Sequence, residues 1–570
     1  MKRLLLIPAL LLLGSARVAS AQTVRPGQER PPLPPIEEQQ PGPTLTLPEI
    51  PDFEPRPRTP SDILPPLEEG ALGEARVRVD SIEFRGNTVL NDSELRGIES
   101  RYVGRELGLS DLEALRDELT YAYVGRGYVT SGAVIPSQSV AGGVLVVDVV
   151  EGVLQDIEVE TDGHLRPGYV RARLERSAGP PVNVKELEEA LQVLQQDDRI
   201  RSVQAALVPG ERRGESILRV RVEEREPWTV TLAGDDYASP AIGEWRGTAE
   251  GTYANLIGVG DVLSAEYQGS TGLNDVRAAF ETPFTPWDTR VELHMRRTWS
   301  EVVENPFQDL DIKDETETYG LTLTQPAWHS RNLLAELFAT AEWRRSESYL
   351  QGDSFSFVPG PHDGVAKIAV LRFGMDALYR SSLEVLSLRS MLSVGIDALD
   401  STINSGDIPD SRFVSWLLQL QGARRLPWYD TQIVGALSLQ LSDRPLLGLE
   451  QFEIGGRYTV RGYRESQLVR DQGVAGSVEF RIPVPLPSSE RWRPELAIAP
   501  FFDAGRSWNA NRSTSGDQNL ASVGIGLLLG LNEQAHFEIY WGDSIEDVTH
   551  FGEHTLEDEG IHLGMTVSLP

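Results

Sequence analysis

Gly455-Gly456-Arg457-Tyr458-Thr459-Val460-Arg461-Gly462-Tyr463 is the stretch of this sequence that decides the fold. Its three glycines are typical of a tight loop, because glycine adopts backbone conformations that other residues avoid. Asp503 comes later, within Phe501-Phe502-Asp503-Ala504-Gly505. A guanidinium is always charged, and its planar fork matches a carboxylate. An arginine on a glycine-rich loop and an aspartate on a later strand can therefore form a pair inside a protein.

The composition excludes several classes of protein. The chain has 570 residues, enough for several domains, and its net charge of -32 argues against nucleic acid, whose phosphates need a basic surface. It contains no cysteine, which excludes disulfides and thiolate metal sites. No His-Glu-x-x-His, Gly-x-Ser-x-Gly or P-loop motif occurs. We therefore expect neither an enzyme nor a cofactor or metal site.

The N-terminus has the pattern of a secretory signal. Lys2 and Arg3 precede an apolar run from Leu4 to Leu13, and Ala19-Ser20-Ala21 offers a small-residue cleavage site. The apolar run is too short to span a bilayer. We predict that residues 1–21 are a signal peptide and that the mature chain lies outside the cytoplasm.

The next segment, residues 22–76, is rich in proline. Pro31-Pro32-Leu33-Pro34-Pro35 is typical of it. Proline fixes φ and removes a hydrogen-bond donor, so this composition predicts an extended, semi-rigid linker without a core. A proline-rich peptide ligand is the alternative interpretation.

Two adjacent segments, residues 77–151 and 152–226, are weak repeats of each other. The alternating strand at 80–84 corresponds to that at 155–159. A helix follows in both copies, and each copy closes with an apolar strand. The closing strands run from Val144 to Val150 and from Ile217 to Val222. This pattern predicts two small α+β domains in tandem.

The helices of the two repeats carry start signals. Ser110 with Glu113 is placed to form a capping box, and Asn183 stands in the same relation to Glu186. Leucines recur after each start at the spacing of one helix face. We therefore predict that the helices begin at Ser110 and Asn183.

From about residue 227 to 570 the helical spacing gives way to long alternating strands. Apolar and polar side chains alternate in residues 332–343, 432–441 and 561–569. A soluble β-sandwich gives the same alternation, but these strands span 10 to 16 residues, whereas soluble strands average about 5 to 6. Tryptophans near the predicted strand ends favour a membrane barrel with aromatic girdles: Trp228, Trp287, Trp299, Trp343, Trp428, Trp508 and Trp541.

Sixteen strand candidates fall in this region, and an even number suits a closed antiparallel barrel. A barrel of this size encloses a water-filled lumen, which we expect Glu292, His294 and Arg296 to line. The predicted fold is an all-β, 16-stranded antiparallel transmembrane β-barrel preceded by two small α+β domains.

Residues 77–570 resemble the outer-membrane transporters of two-partner secretion, the haemolysin secretion/activation type. The stretch from Tyr121 to Gln138 is similar to the signature of their first POTRA domain, as is the ending from Leu145 to Gly152. The resemblance implies that the repeats are POTRA 1 and POTRA 2. It also implies that a loop at about 444–472, between the eleventh and twelfth barrel strands, folds back into the lumen.

The resemblance also assigns roles to the quoted residues. It implies that Arg461 pairs with Asp503 on the inner wall of strand thirteen, in a latch that includes Gly462 and Tyr463. We expect Gly462 to permit close approach of the loop to the wall, and Tyr463 to pack while its hydroxyl stays hydrogen-bonded. Residues that support the loop motif are Gly455, Gly456 and Val460, and the barrel-strand motif contributes Phe501 and Gly505.

The family's function implies the partners. The POTRA domains would bind an unfolded, secreted β-helical exoprotein (an adhesin, haemolysin or toxin), with an edge near Val134 and Ile135 as the candidate binding surface. The barrel would sit in outer-membrane lipid, inserted by the barrel-assembly machinery, with the POTRA domains in the periplasm. No nucleic acid or cofactor is expected.

Two alternative functions stay open, and the sequence departs from the family pattern in two places. A BamA-like assembly factor shares the loop motif but usually has three to five POTRA domains, and a passive porin or receptor is the other alternative. The prolines of residues 22–66 argue against the N-terminal plug helix of many members. The chain also ends at Leu569-Pro570, whereas outer-membrane barrels usually end on an aromatic residue.

Overall fold

A computed structural model describes residues 76–487, 494–531, 534–546, 548, 552 and 554–569. Several predicted segments lie outside the described residues. They are the signal peptide, the linker except for its last residue, residues 22–66, for which no plug helix was expected, and the terminal proline. The first α+β unit comprises β1 (Val77–Val79), β2 (Ser81–Arg85), α1 (Asp92–Glu99), β3 (Arg105–Leu107), α2 (Leu109–Val124), β4 (Gly132–Val134) and β5 (Val144–Val150).

The second α+β unit repeats this plan without the additional β1–β3 pair. It comprises β6 (Val153–Thr161), α3 (Pro167–Glu175), α4 (Val184–Gln195), β7 (Ile200–Pro209) and β8 (Glu215–Glu224). In each unit the last strand is central. Strand β5 pairs in parallel with β2 and antiparallel with β4, and β8 pairs in parallel with β6 and antiparallel with β7. The helices cover one face and bury leucines such as Leu115, Leu119 and Leu187 against the sheet.

One of the two predicted helix starts is wrong. Helix α2 begins at Leu109, and its N-cap is Gly108, two residues before the predicted cap; the Gly108 N–H donates to Asp111 Oδ2 at 3.0 Å. Ser110 and Glu113 lie inside the first turns of the helix. The other prediction is confirmed, because Asn183 caps α4 by accepting a hydrogen bond from the Lys185 N–H at 3.0 Å.

Within the described residues, sixteen strands form a closed antiparallel barrel, as predicted. They are β9 (Trp228–Asp235), β10 (Arg246–Ala254), β11 (Val262–Gly269), β12 (Leu273–Pro283), β13 (Arg290–Glu301), β14 (Ile312–His329), β15 (Leu333–Leu350), β17 (Val365–Arg380), β18 (Glu384–Ile396), β19 (Val414–Arg425), β20 (Gln432–Ser442), β23 (Gln472–Val484), β24 (Pro494–Trp508), β25 (Asn519–Leu531), β26 (Ala535–Ser544) and β27 (Ile561–Leu569). The short β16 (Asp353–Ser354) extends the β15–β17 hairpin. The barrel closes where β27 pairs with β9.

Alternation of side chains gives the barrel an apolar outside and a polar inside. Leu293 and Met295 on β13 are exposed on the outer face. Between and beside them Glu292, His294 and Arg296 point inward, where Arg296 Nε lies 2.7 Å from Asp275 Oδ2 on the neighbouring strand. Inward-facing charged side chains on neighbouring strands thus pair with each other, as expected for a polar lumen.

The tryptophans fit the expected girdles with one exception. Trp343 lies in the interior of β15, because that strand continues to Leu350, beyond the predicted end. Near the α+β units lie Trp228, Trp287 and Trp428, and near the opposite end lie Trp299, Trp508 and Trp541. The barrel strands vary between 8 and 18 residues, a wider range than the sequence predicted. Among the described residues, no helix is long and apolar enough to cross a bilayer.

The second α+β unit docks onto the turns at the near end of the barrel. The Arg166 N–H donates to the Gly258 carbonyl at 2.8 Å, and the Arg199 guanidinium donates to the Gly260 carbonyl in the same turn. Arg173 forms an ion pair with Asp288 in the next turn. These contacts fix the unit below the barrel opening.

Candidate functional site: the inner loop

The inner loop, defined here as residues 443–471, connects β20 to β23. Its stem contains β21 (Phe452–Ile454) and β22 (Leu468–Arg470), which pair antiparallel as a small hairpin. The tip between them holds the glycine-rich stretch from Gly455 to Tyr463. Contacts with side chains on the inner wall show that the tip lies inside the barrel.

Arg461 at the tip is almost completely enclosed by the wall, with a side chain 3% exposed. Its Nε donates to Asp503 Oδ2 at 2.7 Å and its Nη2 to Asp503 Oδ1 at 2.8 Å. The Arg461 backbone N–H donates to the same carboxylate at 3.1 Å. Because Asp503 is 1% exposed, the two charges hold each other in a bidentate pair shielded from water.

Three further wall groups surround the Arg461 guanidinium. Its Nη1 pairs with Glu479 on β23, and its Nη2 donates to Ser477 Oγ at 3.0 Å. The guanidinium carbon also lies 3.6 Å from the centre of the Phe501 ring, a cation–π contact. The arginine is therefore positioned by two neighbouring strands, β23 and β24, at once.

Two glycines allow the tip to approach the wall closely. Gly462 has φ +88°, and a Cβ built there would lie 2.9 Å from the Gly542 carbonyl oxygen on β26. Gly505, on β24, faces the loop: a Cβ there would lie 3.1 Å from Val460 Cγ2 and 3.2 Å from Ile454 Cδ1. Side chains at either position would push the loop away from the wall.

The rest of the tip is fixed by turn geometry and apolar packing. Gly455 and Gly456 both have positive φ, at +114° and +92°, where the chain turns away from β21. Val460 and Tyr463 are buried in a cluster with apolar residues of the stem and wall. The Tyr463 hydroxyl lies 2.9 Å from the Ala521 carbonyl, so its polar end is satisfied as well.

Other ion pairs of the tip are not evident from the sequence pattern. Arg457 forms a bidentate pair with Glu538 on β26, at 2.9 and 2.8 Å. Arg464 reaches Asp558 at 2.6 Å and Glu304 at 2.8 Å, in two different loops at the far end of the barrel. Their carboxylate partners, like Glu479, belong to segments in which nothing in the sequence marks one acidic residue over the next.

The candidate binding edge lies in the first α+β unit, far along the chain from the inner loop. Val134 is the last residue of β4, which is an edge strand of its sheet. Val134 lies opposite Asp148 of β5. Ile135 follows the strand and packs partly against the core of the unit. Beyond Ile135 the Gln138 side-chain amide bonds to the edge of β5 as a neighbouring strand would. It accepts from the Val146 N–H at 2.9 Å and donates to the Val146 carbonyl at 2.6 Å.

Comparison with known proteins gives this architecture a family. Residues 214–529 match the model of the haemolysin secretion/activation protein family ShlB/FhaC/HecB, and residues 77–152 match the ShlB-type POTRA domain. The chain belongs to this family. The family match places the barrel in the outer membrane and the POTRA region in the periplasm. The far end of the barrel is therefore extracellular, and the alternative of an assembly factor is not favoured.

The relatives are transporters. The chain is 23% identical over 462 residues to the outer membrane transporter CdiB of Dickeya dadantii, covering 78% of this chain and 79% of the relative. It is 23% identical over 408 residues to the hemolysin transporter protein ShlB of Serratia marcescens, covering 69% and 70%.

Solved structures share the fold. CdiB from Escherichia coli superimposes with a TM-score of 0.65 at 20% identity, over 90% of this chain and 94% of that one. BamA from Haemophilus ducreyi lacking POTRA domains 1–3 gives 0.54 at 14% identity, over 86% and 100%. The predicted family and fold class are thereby confirmed, whereas the role of each loop residue stays a prediction.

Proposed function

We propose that this outer-membrane transporter binds an unfolded exoprotein through its periplasmic α+β units and exports it through the barrel lumen. The inner loop is the movable part that blocks the lumen at rest. The observation that carries the proposal is the buried pair between Arg461 on the loop and Asp503 on the wall. A loop held by side-chain contacts and not by strand pairing can leave the lumen without opening the barrel.

The edge at β4 supports capture of an extended substrate. A sheet edge can accept an unfolded polypeptide as a further strand. At β4 the Ala133 N–H already donates to Thr120 Oγ1 of α2 at 3.1 Å, so the added strand would begin at Val134 and Ile135. Val134 is the last residue of that edge, and Ile135 extends the chain beyond it. Main-chain hydrogen bonds would supply affinity for many sequences, which suits a substrate that passes through in full.

The partner we propose is a secreted β-helical exoprotein, an adhesin, haemolysin or toxin, whose folding outside the cell makes export irreversible. ShlB of Serratia marcescens, by its name a hemolysin transporter, is a precedent among the relatives. The apolar outer face suits outer-membrane lipid, and a closed barrel of this size would be inserted by the barrel-assembly machinery.

Arg461→Ala tests the role of the loop. Removing one partner of a buried ion pair typically costs about 3–5 kcal/mol, so the loop should lose its fixed position while the strand ladder stays intact. We expect a folded barrel, judged by heat-modifiable migration in gels, with less of the exported exoprotein released into the medium.

Arg389→Ala is the matched control. Arg389 pairs with Asp376 on the lumen wall, at 2.8 Å, and this pair joins β18 to the neighbouring β17. Secretion should stay near the wild-type level in this variant. Normal export by Arg461→Ala, or equal loss in both variants, would remove the inner loop from the export mechanism.

A further inference from the structure

The stem of the inner loop has its own ionic contact, on a different part of the wall from the tip. Glu450, just before β21, accepts from Arg372 of β17 through both oxygens, at 3.0 and 3.1 Å. Arg344 of β15 donates to the same carboxylate at 3.1 Å and to the Leu449 carbonyl at 3.0 Å. Two wall arginines therefore hold one loop carboxylate.

The surroundings show that this contact is a built site. The side chains of Glu450 and Arg372 are each 3% exposed. Glu342, on β15, lies 3.4 Å from both guanidinium groups, so two positive charges face two negative ones. Ser393 accepts a further hydrogen bond from Arg372 at 2.8 Å. Neutralising Glu450 would take from both buried guanidinium groups a carboxylate that each of them contacts, at a considerable cost.

Apolar packing accompanies the charges. Leu446 and Leu447, a few residues before Glu450, are buried in a cluster with Ile368 and Val370 of β17 and with Phe413. The stem is thus fixed to this side of the barrel by a hydrophobic contact and an ion-pair network together. Neither includes a residue of the Arg461 site.

The two ends of the inner loop are held on opposite walls. In the order of strands around the barrel, β15 and β26 are eight steps apart, half of the circumference. Glu450 is bound at β15, and Arg457 of the tip is bound to Glu538 on β26. The loop therefore crosses the lumen and is attached to opposite sides of the barrel wall.

We propose that Glu450 is a positioning residue, a second anchor that opens independently of Arg461, and that the lumen is clear only when both anchors are released. This inference rests on the proposed function for its biological meaning, but its physical content is the independent release of the stem. A loop freed only at the tip would stay attached to β15 and β17 and continue to obstruct the channel.

Glu450→Gln tests this, because it removes the charge and keeps the shape. The chain has no cysteine, so Leu446→Cys introduces a single thiol at a stem position that is 1% exposed. The full-length protein, purified in detergent and reconstituted in lipid vesicles, is treated with a water-soluble maleimide. We expect labelling at position 446 to be about tenfold faster with Glu450→Gln, equivalent to about 1.4 kcal/mol of opening free energy.

Two further measurements make the result decisive. Asp376→Asn is the matched control, since it neutralises a lumen carboxylate that pairs with Arg389 on the neighbouring barrel strand. A separate reporter, Val460→Cys, places the thiol at the buried tip. We expect faster labelling at 446 and an unchanged rate at 460 in Glu450→Gln. Equal rates in the two carboxylate variants, or parallel acceleration at both reporters, would overturn the second anchor.

Export by the same variants addresses the proposed function separately. If Glu450→Gln releases the stem and export is unaffected both in this variant and in Arg461→Ala, the anchor stands and the loop's part in export falls. If labelling at position 446 does not change, the anchor fails whatever export shows.

Discussion

Gly462 is the residue whose chemistry is least replaceable in the inner loop. Its φ of +88° is unfavourable for any residue with a Cβ, and the Gly542 backbone on β26 occupies the space where that Cβ would go. Two separate costs, conformational strain and steric overlap, therefore fall on one position. A control that carries only the first cost can distinguish them.

We expect Gly462→Ala to displace the tip of the loop. Gly516 has φ +75° and open space around a built Cβ, so Gly516→Ala carries the strain of about 1–2 kcal/mol without the overlap. With the thiol reporter Val460→Cys, maleimide labelling of the tip should be faster in Gly462→Ala, whereas Gly516→Ala should label at the wild-type rate. Equal labelling rates in the two variants would mean that close approach to β26 does not hold the tip.

The contrast between Asp503 and Glu450 shows how far the site could be predicted from the sequence. Asp503 was found because a motif surrounds it and because its partner lies in a second motif. Glu450, Arg344 and Arg372 carry no such context. Along a barrel strand every second residue is polar, so the sequence does not indicate which inward-facing charge meets the loop.

At the scale of elements, short helices and exact helix starts were the weak points. The predicted sheet strands and the long helices α2 and α4 follow from hydrophobic periodicity. Helix α1 was missed because it is only eight residues long, although Asn91 and Glu94 form a capping box that marked it. The start of α2 was misplaced since Gly108 with Asp111 and Ser110 with Glu113 are competing caps two residues apart.

The docking of the second α+β unit depends on a turn in which Gly260 touches the ring of Tyr169. A Cβ at Gly260 would lie 2.3 Å from the ring atom Cε2. Nearby, burial disfavours ionisation of Asp197, but the Arg199 guanidinium outweighs this and lowers the pKa of that carboxyl. Charged Arg199 and Asp197 thus remain paired beside the turn.

We expect Gly260→Ala to loosen this unit from the barrel. The backbone amide of Arg166, which donates to Gly258 in the docked state, should exchange hydrogen about tenfold faster, or about 1.4 kcal/mol in opening free energy. Gly352→Ala, at φ +87° with no atom within 4 Å of a built Cβ, is the control. Unchanged exchange in Gly260→Ala would show that the unit is held mainly by other contacts.

For the whole molecule, the seam between β9 and β27 separates two routes for a polypeptide. A substrate that passes through the lumen does not need the seam, whereas release into the membrane plane would require it to open. Thr231 and Ser568 face each other across the seam, with their hydroxyl oxygens 3.2 Å apart. Directly opposed residues on antiparallel strands have Cα distances of about 4.5–5.5 Å, which a disulfide can bridge.

We therefore expect the double variant Thr231→Cys, Ser568→Cys to secrete normally when its disulfide is formed. The same protein kept reduced, and each single variant, control for the substitutions themselves. Loss of secretion on oxidation, restored by reductant, would show that the barrel wall must part and would return the assembly-factor alternative to consideration.

The attachment of the inner loop to opposite sides of the barrel also bears on what can open the channel. Seated, the loop satisfies several charges and covers apolar side chains of its own, and all of these would face water if it withdrew alone. A two-state equilibrium moves only by the differential affinity of a ligand for the two states. In the export that we propose, the arriving polypeptide is that ligand and replaces the contacts that the loop gives up. Without an exoprotein the channel would stay closed, and no external energy source is needed to keep it so. Binding of the exoprotein would provide the free energy that opens it.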